Sequence, residues 1–424
     1  MEHFNPYLGV IAICVIVIFS YNLNIISRYT IIPSVFLLIG LGIAIRQGLQ
    51  AWQMEMGVDP VHLLEMLGIV GLIMIVLEAA TELDLSRDKI SLILRSFFLA
   101  FFGLLLTTFA SACMIYRFII RDPLIATFYA LPFSMLSSAI IIPSVAGLMK
   151  SKREFLIYES SFSDILGIIF FYFLLDNAGN TSIGSIALNT GLNILSTLAL
   201  AVVISYILVW LLQRMNSQIK MILLISVLVM LYAIAKLLHL SSLIIILIFG
   251  LVLSNYPHFF RWKLRSWIRE DRMKPVLDDF HLITTEAAFF IRTFFFVLFG
   301  LSLELKDLVD LNAALISLGI VGAIFVIRFL CLRLFRVRNM VTELFIAPRG
   351  LITILLYFSI PVTYHYAGFS PGILFYTILI TSVVMSVTLV VKGKETESYE
   401  VLEFNDWEEL DKEIAGLKNT RPDT

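Results

Sequence analysis

The chain has 424 residues, 59% of them hydrophobic and 15% charged, with a formal net charge of −1. A soluble domain carries about 25% charged residues, so composition excludes a soluble enzyme or interaction module, and the near-zero charge offers no footprint for nucleic acid. The apolar stretches are continuous rather than alternating, which makes this an all-α polytopic membrane protein and not a β-barrel.

About thirteen spans are expected, near residues 7–26, 30–46, 62–85, 91–116, 123–149, 155–175, 183–212, 218–236, 240–255, 278–303, 309–335, 341–361 and 371–391. Residues 1–391 then form one transmembrane domain. Residues 392–424 form a short polar tail with room for one helix over 406–417. The N-terminus has no basic region and no small-residue cleavage site, so the first span is expected to be retained. Cys14, Cys113 and Cys331 all lie in apolar runs and read as small buried residues, not as a disulfide framework or metal cluster. With the N-terminus outside, the basic residues crowd the cytoplasmic connections. The outer ones hold only Arg46, Arg117, Arg121, Lys236 and Lys306. That bias fixes the expected orientation, N-terminus out and C-terminus in.

In chain order, the first polar signal is the end of span 3, VLEAATELDL (Val76–Leu85). Glu78 and Glu82 lie near its cytoplasmic end and are expected to reach water. Span 5 carries Ser137, Ser138 and then Pro143 in SSAIIIPSV, a sequence expected to break the helix at the proline. Span 6 contains YESSFSDIL (Tyr158–Leu166). Glu159 and Asp164 are carboxylates inside an apolar helix, where each ionised group costs at least ~2.5–3.5 kcal/mol. Such residues read by default as an ion or proton site. The basic stretch 261–274, with Trp262 and Trp267, suits an amphipathic helix lying on the cytoplasmic surface. Span 10 holds Glu286 and Arg292, read as a mutually compensating pair, and it ends VLFGLSLEL (Val297–Leu305). Span 11 holds Arg328. Span 12 is interrupted at IAPRGLIT, with Arg349-Gly350 after the proline.

Spans 3 and 10, and spans 5 and 12, are each seven apart, so matching copies face opposite ways. Paired interruptions in inverted halves point to broken helices meeting at a mid-membrane site. Depth sorts the charges. At 1.5 Å per residue, Asp164 lies about 13 Å in, Glu159 about 6 Å and Arg349 about 12 Å. Arg328 shares the depth of Glu159, and a buried cation and anion at one level should pair. Asp164 is then the free carboxylate. Burial disfavours its charged form, so it can trade a proton for a cation, with Arg349 near enough to favour the charged form. Ser160, four residues before Asp164, and Ser163, four after Glu159, add hydroxyls suited to a hard cation such as Na⁺.

On these residues the chain resembles the monovalent cation/proton antiporters, in the sodium/proton exchanger branch. The likeness covers essentially all the spans. The branch carries Glu-Ser followed by Asn-Asp in span 6, here Glu159-Ser160 and Ser163-Asp164. It carries a buried arginine in span 11, here Arg328, and Arg-Gly in span 12, here Arg349-Gly350. The resemblance implies a dimerisation domain, a moving core domain, and Asp164 as the alternating proton and cation carrier. It also implies a homodimer in the cell (inner) membrane. Two departures stand out: Ser163 replaces the family's Asn, and Ile141-Ile142-Pro143 is aligned with its Thr-Asp-Pro, which removes an acid at Ile142.

The expected function is therefore secondary active exchange of a monovalent cation, Na⁺ first and Li⁺ or K⁺ after it, for H⁺. The cation binds at Asp164, and exchange is electroneutral by alternating access. No cofactor is expected. The missing acid admits an alternative, a degenerate member with K⁺ preference or a sensing role and little transport. An intramembrane enzyme is disfavoured: HExxH and GxSxG are absent, and the span 6 serines have no His or Lys base at helical spacing.

Overall fold

The computed structural model describes residues 6–391 apart from 30–33, 52–59, 87–88, 146, 179–182, 214–219, 239, 241, 261–269, 305–308, 336 and 338–339. Every regular element among the described residues is helical. They are α1 (Pro6–Tyr29), α2 (Ser34–Ala51), α3 (Pro60–Thr81), α4 (Ile90–Phe118), α5 (Pro123–Ser134), α6 (Ser138–Ser144), α7 (Lys150–Asn177) and α8 (Ile183–Leu212). They continue as α9 (Lys220–Leu237), α10 (Ser242–Ser254), the short α11 (Tyr256–Phe259), α12 (Glu270–Ser302), α13 (Leu311–Leu334), α14 (Val341–Phe345), α15 (Leu351–Phe358) and α16 (Gly372–Val391). Counting α5–α6 and α14–α15 as interrupted spans, and α11 as a connector, this gives the thirteen expected crossings.

The local reasons are legible. Asp122 caps α5, accepting from the N–H groups of Leu124 and Ile125, with Pro123 at the first helical position. Asp310 caps α13 in the same way through Asn312 and Ala313. α3 stops at Thr81, short of the expected 85. Asn255 then holds the extended chain beyond it: its Nδ2 donates to Leu83 O, and its Oδ1 accepts from Leu85 N–H. α12 starts at Glu270, so residues 270–274 belong to a long spanning helix rather than to a surface helix. The rest of that expected surface helix, and the tail 392–424, lie outside the described residues.

The helices pack in two groups. α12 lies against α2 and α3, and α10 against α3, α8 and α9. In the other group α4 lies against α5, α7 and α13. α16 joins the second group, with Ser317 of α13 donating to Ile373 O. Cross-ties are few. Tyr158 Oη donates to Asp84 O at 2.5 Å, and Lys89 Nζ bridges Asp84 (3.0 Å) and Glu154 (3.2 Å). Within the first group, backbones nearly touch. A Cβ on Gly42 would lie 2.1 Å from Val297 O, and one on Gly300 2.2 Å from Ile39 O. This close approach is the usual way helices gain packing in lipid. Gly42→Val is therefore expected to lower the thermal midpoint of the purified protein sharply. Gly40→Val, with nothing within 4 Å of its Cβ position, should leave it nearly unchanged. Equal midpoints for the two variants would contradict the packing.

One composition reading is corrected. Cys14 and Cys113 are exposed on the outer faces of α1 and α4, and only Cys331 is buried. An apolar run does not separate lipid-facing from protein-facing positions, because lipid is as apolar as a core.

Candidate functional site

α7 carries the polar residues. Glu159, Ser160, Ser161, Ser163 and Asp164 are all buried, each 2% exposed or less. Beside this helix both interrupted spans come apart, α5–α6 at Met135–Ser137 and α14–α15 at Ile346–Gly350. A break inside a membrane exposes backbone groups that must find partners in the protein. In the first break three of these N–H groups find one. Leu136 N–H donates to Ser163 Oγ (2.9 Å), Ser137 N–H to Pro348 O (3.0 Å) and Ser138 N–H to Asp164 Oδ2 (3.0 Å).

Two arginines serve the carbonyls. Arg349 Nε donates to Phe133 O at 2.6 Å and its Nη1 to Ala347 O at 3.0 Å, while its own N–H donates to Thr381 Oγ1 of α16. Arg328 Nε donates to Glu343 O at 2.8 Å, at the end of α14. Its two terminal nitrogens hold Glu159 bidentately, at 2.6 and 2.8 Å. Charge-assisted forks of this kind are the strong form of the contact. The paired Glu159–Arg328 expected from depth is therefore present. Arg349 meets no carboxylate within 4 Å among the described residues, so its role near Asp164 is to close the crossing rather than to bond the acid. Gly350 permits the crossing: a Cβ there would lie 2.5 Å from Ser137 Oγ and 2.7 Å from Ile140 Cδ1.

Asp164 Oδ1 is buried and has no hydrogen-bond partner, and so is Ser137 Oγ. Ser160 Oγ turns back to Ile157 O at 3.1 Å. A cavity of about 20 Å³ lies on the α4 side of α7, lined by Thr107, Ser134, Glu159, Ser163, Arg328 and Arg349. It is large enough for about one water. Asp164 does not line it.

Three sequence readings need correction. The first break precedes Pro143 by more than a turn. Pro143 instead lies within α6, as its sixth residue, and is exposed. Ile142 is consequently not at the break, and the position that faces Asp164 is Ser138. Arg292 does not pair with Glu286, which is exposed. Six residues apart on one helix, their side chains point to different faces, whereas pairs need a spacing of three or four. Arg292 instead holds Glu78 of α3 at 2.9 and 3.0 Å, so Glu78 does not reach for water. Sequence reasoning missed both this pair and Thr381. The hint for Thr381 was a threonine pair, Thr377 and Thr381, at i, i+4 in an apolar helix.

Two interrupted helices crossing beside a buried acid, in a bundle of inverted halves, define a polytopic secondary transporter. The chain belongs to the sodium/hydrogen exchanger family: the family's transmembrane region matches residues 11–393. Members of this family are transporters and not enzymes. Two solved structures of the sodium proton antiporter MjNhaP1 from Methanocaldococcus jannaschii share the fold. The one determined at pH 8 has a TM-score of 0.68 at 18% identity, covering 92% of this chain and 96% of that one. The other, an electron-microscopy structure, has a TM-score of 0.64 at 19% identity, covering 93% and 96%. No curated protein matches the chain.

Proposed function

We propose that the protein exchanges one monovalent cation for one proton by alternating access around Asp164. The observation that carries this reading is the buried, unpartnered Oδ1 of Asp164 beside the crossing of the two interrupted spans. The neighbouring acids are already engaged. Glu159 is neutralised by Arg328 and Glu78 by Arg292. Asp164 is thus the carboxylate at the crossing free to take either a proton or a cation. Both loaded forms then carry the same charge, and a cycle that returns only loaded forms moves no net charge.

The group containing α4–α7, α13 and α16 is the moving core in this reading, and α2, α3, α10 and α12 form the scaffold through which a homodimer assembles. The chain sits in the cell membrane with its N-terminus outside, following the basic residues. Residues 1–391 are the transport unit, and 392–424 are a cytoplasmic tail. Ser163, Arg349 and Gly350 hold the crossing, and Ser137 and Ser138 face the ion.

The test is proton flux in reconstituted vesicles carrying a pH gradient, with Li⁺, Na⁺ or K⁺ added in turn. Cation-triggered dissipation is expected. Its rate should be unchanged when a potential is imposed by a permeant anion. Dissipation steeply dependent on that potential would rule out one-for-one exchange, and no response to any cation would rule out exchange itself.

A further inference from the structure

The cation's identity follows from what surrounds Asp164, given that the exchange reading holds. One of its two oxygens is committed to the break, since Oδ2 accepts the N–H of Ser138, and the Ser138 hydroxyl lies against the same carboxylate. The other, Oδ1, is open. Further open oxygens nearby are neutral hydroxyls: Ser137 Oγ precedes the contacting residue, and Ser161 Oγ lies one turn back on α7. Two acids that could add charge are each held by an arginine, Glu159 through both terminal nitrogens of Arg328 and Glu78 through Nη1 of Arg292 alone. Glu159 meets Arg328 at 2.6 and 2.8 Å, and Glu78 meets Arg292 at 2.9 and 3.0 Å. A cation at this crossing therefore meets one carboxylate oxygen and neutral dipoles, and the buried Arg349 guanidinium at the crossing weakens the anionic field further.

That count bears on selectivity. A bound cation must give up hydration, and the smaller the ion the more tightly water is held. A strong anionic field repays the loss for a small ion. A field built from one charge and several dipoles does so only for a larger, more weakly hydrated one. We propose that the site selects K⁺ over Na⁺ and Li⁺, and that Ser138 is the residue that sets this preference. Its position is the one where the side chain meets the Asp164 carboxylate. An acid there would double the anionic charge on the ion, whereas Ile142 lies a turn further along α6, away from the break, and is only half-buried.

The experiment titrates Li⁺, Na⁺, K⁺ and Rb⁺ against proton flux in vesicles containing the full-length wild type, Ser138→Asp or Ser138→Asn. For the wild type, the half-saturating concentration of K⁺ should be roughly tenfold below that of Na⁺, with Li⁺ weaker still and Rb⁺ close to K⁺. Ser138→Asp should lower the value for Na⁺ and Li⁺ and invert the order. Ser138→Asn, similar in size but neutral, should keep it. A wild type that saturates at lower Na⁺ than K⁺ overturns the selectivity inference while leaving exchange intact. Flux with no cation at all overturns the exchange reading instead. Should Ser138→Asp fail to fold, the wild-type series alone decides.

Discussion

Asp164→Asn is expected to abolish cation-driven proton flux and to leave the protein folded. The amide keeps an oxygen that can accept the Ser138 N–H, at present 3.0 Å from Oδ2. The first interruption therefore stays closed, and the crossing with Pro348 and Arg349 is preserved. What disappears is the group that binds a proton and, alternately, a cation. Loss of a side chain that takes part directly in proton transfer typically costs 10²–10⁴-fold, so the remaining rate should fall by about that factor, to the leak of empty vesicles. The check is flux beside the melting curve of the same preparation. Substantial flux in the Asn variant would move the carrier elsewhere. Glu78 would be the first place to look, since a shift of Arg292 would free it.

The second large effect is on folding. Arg328→Met removes the cation from a fork that is 8% exposed on the arginine side and 2% on the glutamate side. It strands Glu159 as a buried anion and orphans the carbonyl of Glu343. Removing one partner of a buried pair costs about 3–5 kcal/mol, a large share of the total stability of ordinary proteins. Arg328→Met is therefore expected to yield little monodisperse protein, and Glu159→Leu similarly little. The double variant should recover part of the yield, because no charge is left unpaired. It should not recover all, because the Glu343 carbonyl still lacks its donor. Full recovery would show that the carbonyl contact is immaterial. No recovery would show that the pair contributes something besides its own neutrality.

These variants also mark what was legible in the chain. Glu159 and Arg328 were found from depth alone, because an unpaired charge in lipid is costly enough to force a partner at its own level. The two interruptions were found because a proline in each of two matching spans is a strong signal. The exact place of the first was not, since Pro143 lies inside α6 and the true break has no proline at all: Met135, Leu136 and Ser137. What opens that backbone is the set of partners waiting for it, Ser163, Pro348 and Asp164, and these are remote in sequence. Arg292 was assigned to the wrong acid for a similar reason. Glu286 is nearby in the chain, but helical phase turns it outward, and the true partner stands on another helix.

The ties across the crossing also constrain how the protein is made. Phe133 O is held by Arg349, 216 residues later, and Ser137 N–H by Pro348. When the fifth span leaves the ribosome, nothing yet synthesised can satisfy these groups. The nascent first half must therefore wait, with the segment continuous as a helix or hydrated at the translocation machinery, until the twelfth span arrives. The two inverted halves are thus not separate folding units. A chain stopped after α8 should be handed to membrane quality control, and the two halves expressed as separate polypeptides should accumulate only when both are present together.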